Sequence, residues 1–198
     1  MQSVVPQPSF EIRTVAVIGA GTAGRRFALA CAAAGFNVVL EDVMPANLRR
    51  AEADFAELNL RDSAGSLDLA LTVEDAVREA DIAIDFVPDE LESKLEIFSM
   101  IDRMAPPRTI LCTPSEALSI TDLASCVYRP ERCFAVRGGL VGGDSSARST
   151  VRLIFPQAAD EHALGATGKF LRSLGIEVRT EPDPDVPLLM KNLARAAG

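Results

Sequence analysis

The 198-residue sequence is poor in the side chains that most often hold metals, with one histidine and four cysteines. Cys31, Cys112, Cys126 and Cys133 stand in no CxxC or zinc-finger spacing, so no metal site is expected. They read as buried free thiols of a reducing compartment. Basic residues are also scarce: 20 Lys and Arg against 28 Asp and Glu give a net charge of −8. Nucleic acid and anionic membranes need a basic face, so neither is expected as a partner. No apolar run approaches the ~18 residues of a membrane span. The opening "MQSVVPQPSFEIR" lacks the basic and apolar regions of a signal peptide. A cytoplasmic setting is therefore expected. Internal repeats and low-complexity segments are absent as well.

Hydrophobic residues make up 48% of the chain and charged ones 24%, enough for both a core and a solvated surface. Apolar runs lie at 14–20, 37–42, 81–87, 108–113, 133–137, 150–155 and 176–180. Those at 14–18, 38–40 and 82–87 are short and mostly apolar, as strands covered on both faces are. Helical patterns fall between runs, at 22–35, 45–59, 74–79, 90–104, 119–127 and 160–174. This alternation predicts an α/β fold with a doubly wound, mostly parallel sheet in a single domain. Gly35 and Gly175 sit where helix C-caps belong, and Pro106 and Pro107 stop a helix before the next strand. The expected organisation is an N-terminal extension over 1–12, the α/β domain over 13–180, and a linker with one short helix over 181–198.

The stretch "VAVIGAGTAGRRFA" reads as a strand, then Gly19-x-Gly21-x-x-Gly24, then a helix. The first glycine permits a tight turn, the second lets backbone approach a pyrophosphate, and the third lets the helix pack closely on the strand. Gly19, Gly21, Thr22, Ala23 and Gly24 are thus expected to meet the phosphates, helped by the free N–H groups of the helix start. "VVLED" ends in an acid about 20 residues on. Asp42 is placed to bind the adenosine ribose and to repel a 2′-phosphate, which favours NAD over NADP. Glu41 adds to that repulsion if it faces the same way. A Rossmann fold holding NAD follows; a Rossmann domain that holds no nucleotide is the bland alternative. Arg25 and Arg26 read either as phosphate or substrate ligands or as solvated first-turn side chains.

Two further stretches are more specific: "VPDELESKLEIF" (87–98), and "LSITDLA" (118–124) with "RPER" (129–132). With the glycine stretch, they make residues 13–137 resemble the NAD-binding domain of the L-3-hydroxyacyl-CoA dehydrogenases. The resemblance implies that Phe86 and Val87 line the nicotinamide side. Asp89 takes the place of a glutamate near the nicotinamide ribose, and Lys94 matches a lysine at the cofactor. Their plain readings are a helix cap for Asp89 and a surface position for Lys94. An oxidoreductase of fatty-acid metabolism acting on a small-molecule or acyl-thioester substrate is implied, as a homodimer or with a partner chain.

The resemblance fails where its chemistry should be. In that family a histidine takes the hydroxyl proton, a glutamate orients it, and serine and asparagine meet the substrate oxygen. Here "AVRGGLVGGD" (135–144) puts Arg137 at the histidine position and Leu140 at the asparagine position. Ser149 falls near the glutamate position, Glu116 at the serine position, and Ser115 one place before it. Glu116, Ser115 and Arg137 remain as weak catalytic candidates. Glu116 reads either as an acid that titrates upward if buried or as an exposed turn residue. Arg137 with nearby N–H groups could seat a substrate anion. His162 is expected to be exposed and Tyr128 to pack at a helix end. The segment 45–73 offers only Arg49, Arg50 and Arg61 as bases, and "VPLLMKNLARAAG", with Asn192, resembles only the first helix of the family's C-terminal domain. Three readings stay open: an NAD-dependent oxidoreductase with an altered active site, a non-catalytic NAD(H)-binding module, and one part of a larger dehydrogenase completed by another polypeptide.

Overall fold

The computed structural model describes residues 10–58, 64–140 and 149–184. Residues 141–148, Arg61, Asn192 and the short helix expected near the end lie outside them. Eight strands form one sheet: β1 (Thr14–Ile18), β2 (Asn37–Glu41), β3 (Ser66–Ala70), β4 (Ile82–Asp85), β5 (Ile110–Pro114), β6 (Cys133–Arg137), β7 (Thr150–Phe155) and β8 (Glu177–Pro182). Among the described residues six α-helices connect or flank them: α1 (Thr22–Ala33), α2 (Pro45–Ala56), α3 (Val73–Val77), α4 (Leu91–Met104), α5 (Ile120–Ala124) and α6 (Glu161–Ser173). The strand order is β3-β2-β1-β4-β5-β6-β7-β8, so the chain reverses direction across the sheet between β1 and β4.

Alternation of side chains divides the core between the two faces of the sheet. Val15 and Val17 of β1 meet Phe27, Cys31 and Phe170 from α1 and α6. Ala16 and Ile18 meet Val77, Phe98, Ile101 and Leu123 from α3, α4 and α5. Each buried Val, Ile or Phe stabilises the fold by about 1.5–3 kcal/mol relative to exposure, which is why the central strands can be apolar throughout. The end of the N-terminal extension joins this core, with Ile12 buried and Phe10 packed against it.

Several sequence expectations are corrected. β3 was missed because "SLDLA" is half polar and forms an edge of the sheet, where one side of the strand has no neighbour to demand apolar residues. The sheet is mostly parallel, as expected, with β7 antiparallel to β6. β8 continues through Pro182, two residues into the segment read as a linker, and Asp183 is pinned there. Its Oδ2 accepts from Ser119 Oγ at 2.7 Å and from the Thr121 N–H at 2.8 Å. Tyr128 does not pack; it is 86% exposed. Cys126 is exposed, whereas Cys31, Cys112 and Cys133 are buried. Burial pushes the Cys112 thiol up to about 12, so it stays protonated. Among the described residues no helix is long and apolar enough to cross a membrane, and no cluster could hold a metal ion.

Candidate active site and cofactor crevice

The crevice lies at the carboxyl ends of β1 and β4, where the strand order turns, the position at which open α/β sheets bind ligands. Gly19 leaves β1 with φ +97°, and its N–H donates to the Glu41 carbonyl at 2.9 Å. A Cβ on Gly24 would stand 1.9 Å from the Gly19 carbonyl oxygen, so α1 is seated directly on the turn. A Cβ on Gly21 would meet nothing within 4 Å. Gly21 is also the N-cap of α1, with no side chain capping it and no acid in the first turn. Arg25 is drawn sideways to Asp54, with Nε 2.8 Å from the carboxylate.

Asp42 sits just beyond β2. Its Oδ2 accepts from the Ala20 N–H at 2.8 Å and from Asn47 Nδ2 at 3.0 Å, and its Oδ1 accepts from the Met44 N–H at 2.7 Å. The acid at the second strand thus fastens itself to the glycine turn at the first. Glu41 lies on the same sheet face as Val39, which packs under α3, and is buried there. Burial, reinforced by Asp42, pushes its carboxyl above the ordinary value. The Gly19 backbone N–H opposes that rise. The sequence reading missed Asn47 and an apolar rim of Val43, Met44 and Leu71, all three exposed. The adjacent "DVM" after the strand was the available sign.

At the β4 end, Phe86 packs on Phe27 with ring centroids 5.4 Å apart, and its backbone lies under Gly19. Val87 packs towards the α4 face. Lys94 is not a surface residue: it is 1% exposed and its Nζ donates to Asp85 Oδ1 at 2.8 Å and to the Val87 carbonyl at 3.2 Å. Asp85, wholly buried, was also missed. Burial pushes its carboxyl up and the Lys94 ammonium opposes this. Asp89 does not cap α4, whose N-cap is Glu90. Instead its Oδ2 accepts from the Glu116 N–H at 3.1 Å.

The three catalytic candidates come together beside Asp89. Glu116 Oε1 accepts from the Gly138 N–H at 2.6 Å, Ser115 Oγ from the Leu118 N–H at 3.0 Å, and Arg137 Nη2 donates to the Leu118 carbonyl at 3.1 Å. Glu116 is exposed, which fits its reading as a turn residue. Gly138 has φ +102°, and a Cβ on it would press on the Thr150 carbonyl at 3.0 Å. His162 is exposed at the start of α6 and joins none of these groups.

Residues 14–137 match the model of the 3-hydroxyacyl-CoA dehydrogenase NAD binding domain. The chain belongs to this family. NAD is the cofactor of such domains, in agreement with the glycine turn and the acid at β2. Among its relatives, the probable 3-hydroxybutyryl-CoA dehydrogenase of Bacillus subtilis is 33% identical over 139 residues, covering 64% of this chain and 48% of that protein. The 3-hydroxyadipyl-CoA dehydrogenase of Escherichia coli is 34% identical over 133 residues, covering 61% of this chain and 28% of that protein. The chain thus spans about half or less of these curated relatives. The crystal structure of (S)-3-hydroxybutyryl-CoA dehydrogenase from Ralstonia eutropha superposes with a TM-score of 0.76 at 23% identity, covering 94% of this chain and 69% of that one. That likeness shows the shared fold, a Rossmann sheet with its added antiparallel strands.

Proposed function

We propose that this chain forms the NAD(H)-holding part of a cytoplasmic oxidoreductase that acts on a hydroxyacyl group, CoA- or carrier-bound, with an active site altered from that of its relatives. The observation that carries this reading is the cradle at the tip of β1: open space over Gly21 and an uncapped α1 start seated tightly by Gly24. Backbone N–H groups of Gly21, Thr22, Ala23 and Gly24 hold the pyrophosphate there, while Gly19, whose N–H goes to the Glu41 carbonyl, shapes the turn that lets the phosphates approach. Asp42 already accepts three hydrogen bonds, which leaves about one lone-pair site of its four for a ribose hydroxyl. A 2′-phosphate would meet its charge. Val43, Met44 and Leu71 offer the adenine an apolar rim. Phe86 and Val87 line the nicotinamide side and Asp89 stands by its ribose. Lys94 acts on that end through the Val87 carbonyl rather than as an exposed contact.

When bound, the nicotinamide gives or takes a hydride. The chain's own task is then to move the hydroxyl proton and meet charge on the substrate oxygen. Glu116 is the candidate proton acceptor, Ser115 and Arg137 the candidates at the oxygen. A second reading, a non-catalytic NAD(H)-binding module, is favoured by one observation. Ser115 and Glu116 each accept a backbone N–H, which gives both a structural role, and the chain's one histidine, His162, stands apart at the start of α6. Oxidation of NADH with acetoacetyl-CoA separates the two. Turnover that drops in Glu116→Gln is the expected result, and no turnover with NADH still bound would establish the module instead.

Cofactor choice gives an independent check. Asp42→Asn is expected to weaken NADH about tenfold or more, because hydrogen bonds to charged groups are worth about 1.5–3 kcal/mol. It should also narrow the preference over NADPH, read by fluorescence titration of both. Wild-type protein binding NADPH as tightly as NADH would contradict the role given to Asp42.

A further inference from the structure

Three arginines stand side by side across the last three strands. Arg137 at the end of β6 is in register with Arg152 of β7, and Arg152 is in register with Arg179 of β8. In-register residues share a face. Their neighbours Val151 and Val178 pack into the core under α1 and α6, which turns the arginines to the face of α5. Like charges directly opposed destabilise a sheet, so the row is not a ladder that holds strands together. Its compensation is thin. Arg152 lies 3.5 Å from Glu181 and Arg179 lies 3.9 Å from Glu177, with the arginines 48% and 71% exposed. Exposed pairs of this kind contribute little. Arg137 Nε is buried with no hydrogen-bond partner among the described residues, a condition that polar groups in folded proteins rarely keep. The row also runs against the chain's overall charge of −8.

We propose that Arg137, Arg152 and Arg179 form an anion-binding ridge that takes a diphosphate carried on the tail of the substrate. Neighbouring strands lie about 4.8 Å apart, so the row spans roughly 10 Å, enough for two linked phosphates and more than one needs. Planar guanidinium forks match phosphate oxygens in pairs. The ridge begins at the crevice, since Gly138, next to Arg137, is held by Glu116. A substrate with its reacting end in the crevice would lay its tail along the row; this placement rests on the crevice being the nicotinamide end.

The test is calorimetric titration of inorganic pyrophosphate into the full chain saturated with NADH, which keeps the glycine turn occupied. Wild type should bind, and Arg152→Gln and Arg179→Gln should each weaken binding about tenfold, the scale of one charged hydrogen bond. Raising KCl should weaken binding in wild type. Arg78→Gln, which removes an exposed pair with Asp75 on the far side of the sheet order, should leave it unchanged. The proposal falls if pyrophosphate does not bind, if the double variant R152Q/R179Q binds it like wild type, or if succinate binds as tightly. Failure of NADH to bind would sink the nicotinamide reading alone. The same series without NADH then decides the ridge by the difference between wild type and the double variant.

Discussion

Lys94→Met is expected to lower the melting temperature by about 6–20 °C. The substitution keeps the length of the side chain and removes its charge, leaving Asp85 buried beside Thr113 without the cation that pairs with it. Breaking a buried pair in this way costs about 3–5 kcal/mol, and about 1 kcal/mol shifts the melting point of a domain this size by 2–4 °C. The loss should depend on pH. Burial already holds the Asp85 carboxyl above its ordinary value, and Lys94 is what opposes that rise. Without Lys94 the folded form binds a proton that the unfolded form has released, so stability falls as pH rises from the unfolded pKa up to the raised folded one. Circular-dichroism melts should therefore show the variant closer to wild type at pH 5 than at pH 8. The double variant Asp85→Leu with Lys94→Met should recover most of the loss, because an apolar pair of similar size replaces a buried ion pair at little cost. A single variant that melts within about 2 °C of wild type at pH 8 would show that the pair carries no such weight.

That pair also marks the limit of what the sequence disclosed. Strands buried on both faces, the glycine turn and the acid at β2 were legible because each follows from a local rule: apolar runs, backbone freedom and spacing. Lys94 was placed at the cofactor by resemblance, but burial and its partner are tertiary facts. Nothing in "DFVPDELESK" says that residue 94 folds back on residue 85 across a turn. The "RPER" segment carried the family resemblance, and its arginines are structural. Arg129 Nε binds Asp102 at 2.8 Å, its Nη2 reaches the Asp102 carbonyl, and Nη1 binds the Pro106 carbonyl at 2.6 Å. Together these contacts tie the end of α4 to the start of β6. Arg132 of the same segment reaches Asp160 at 3.2 Å, the N-cap of α6. The arginine row was invisible for the opposite reason. Its members are 15 and 27 residues apart in sequence, and only the antiparallel pairing of β6 with β7 and the parallel pairing of β7 with β8 bring them into register.

Gly24→Ala and Gly21→Ala are expected to destroy NADH binding by different routes, and the difference tests the cradle itself. At Gly24 the new methyl would lie 1.9 Å from the Gly19 carbonyl oxygen and 3.2 Å from Phe86 Cβ. The first of these is backbone and cannot swing aside. Either α1 lifts or the turn unwinds, and overpacking of this kind costs about 1–3 kcal/mol. At least two N–H groups then leave the phosphates, and at about 1.5–3 kcal/mol each the affinity should fall by a hundredfold or more. At Gly21 the methyl meets no protein atom within 4 Å, and the residue's φ of −60° suits alanine. The fold should be untouched, with a melting point like that of wild type. Yet the methyl stands in the space over which the pyrophosphate must pass, so binding should fall with no loss of stability. Paired melts and fluorescence titrations read both effects. If Gly21→Ala bound NADH as wild type does, the open space at the tip of β1 would not be where the dinucleotide lies.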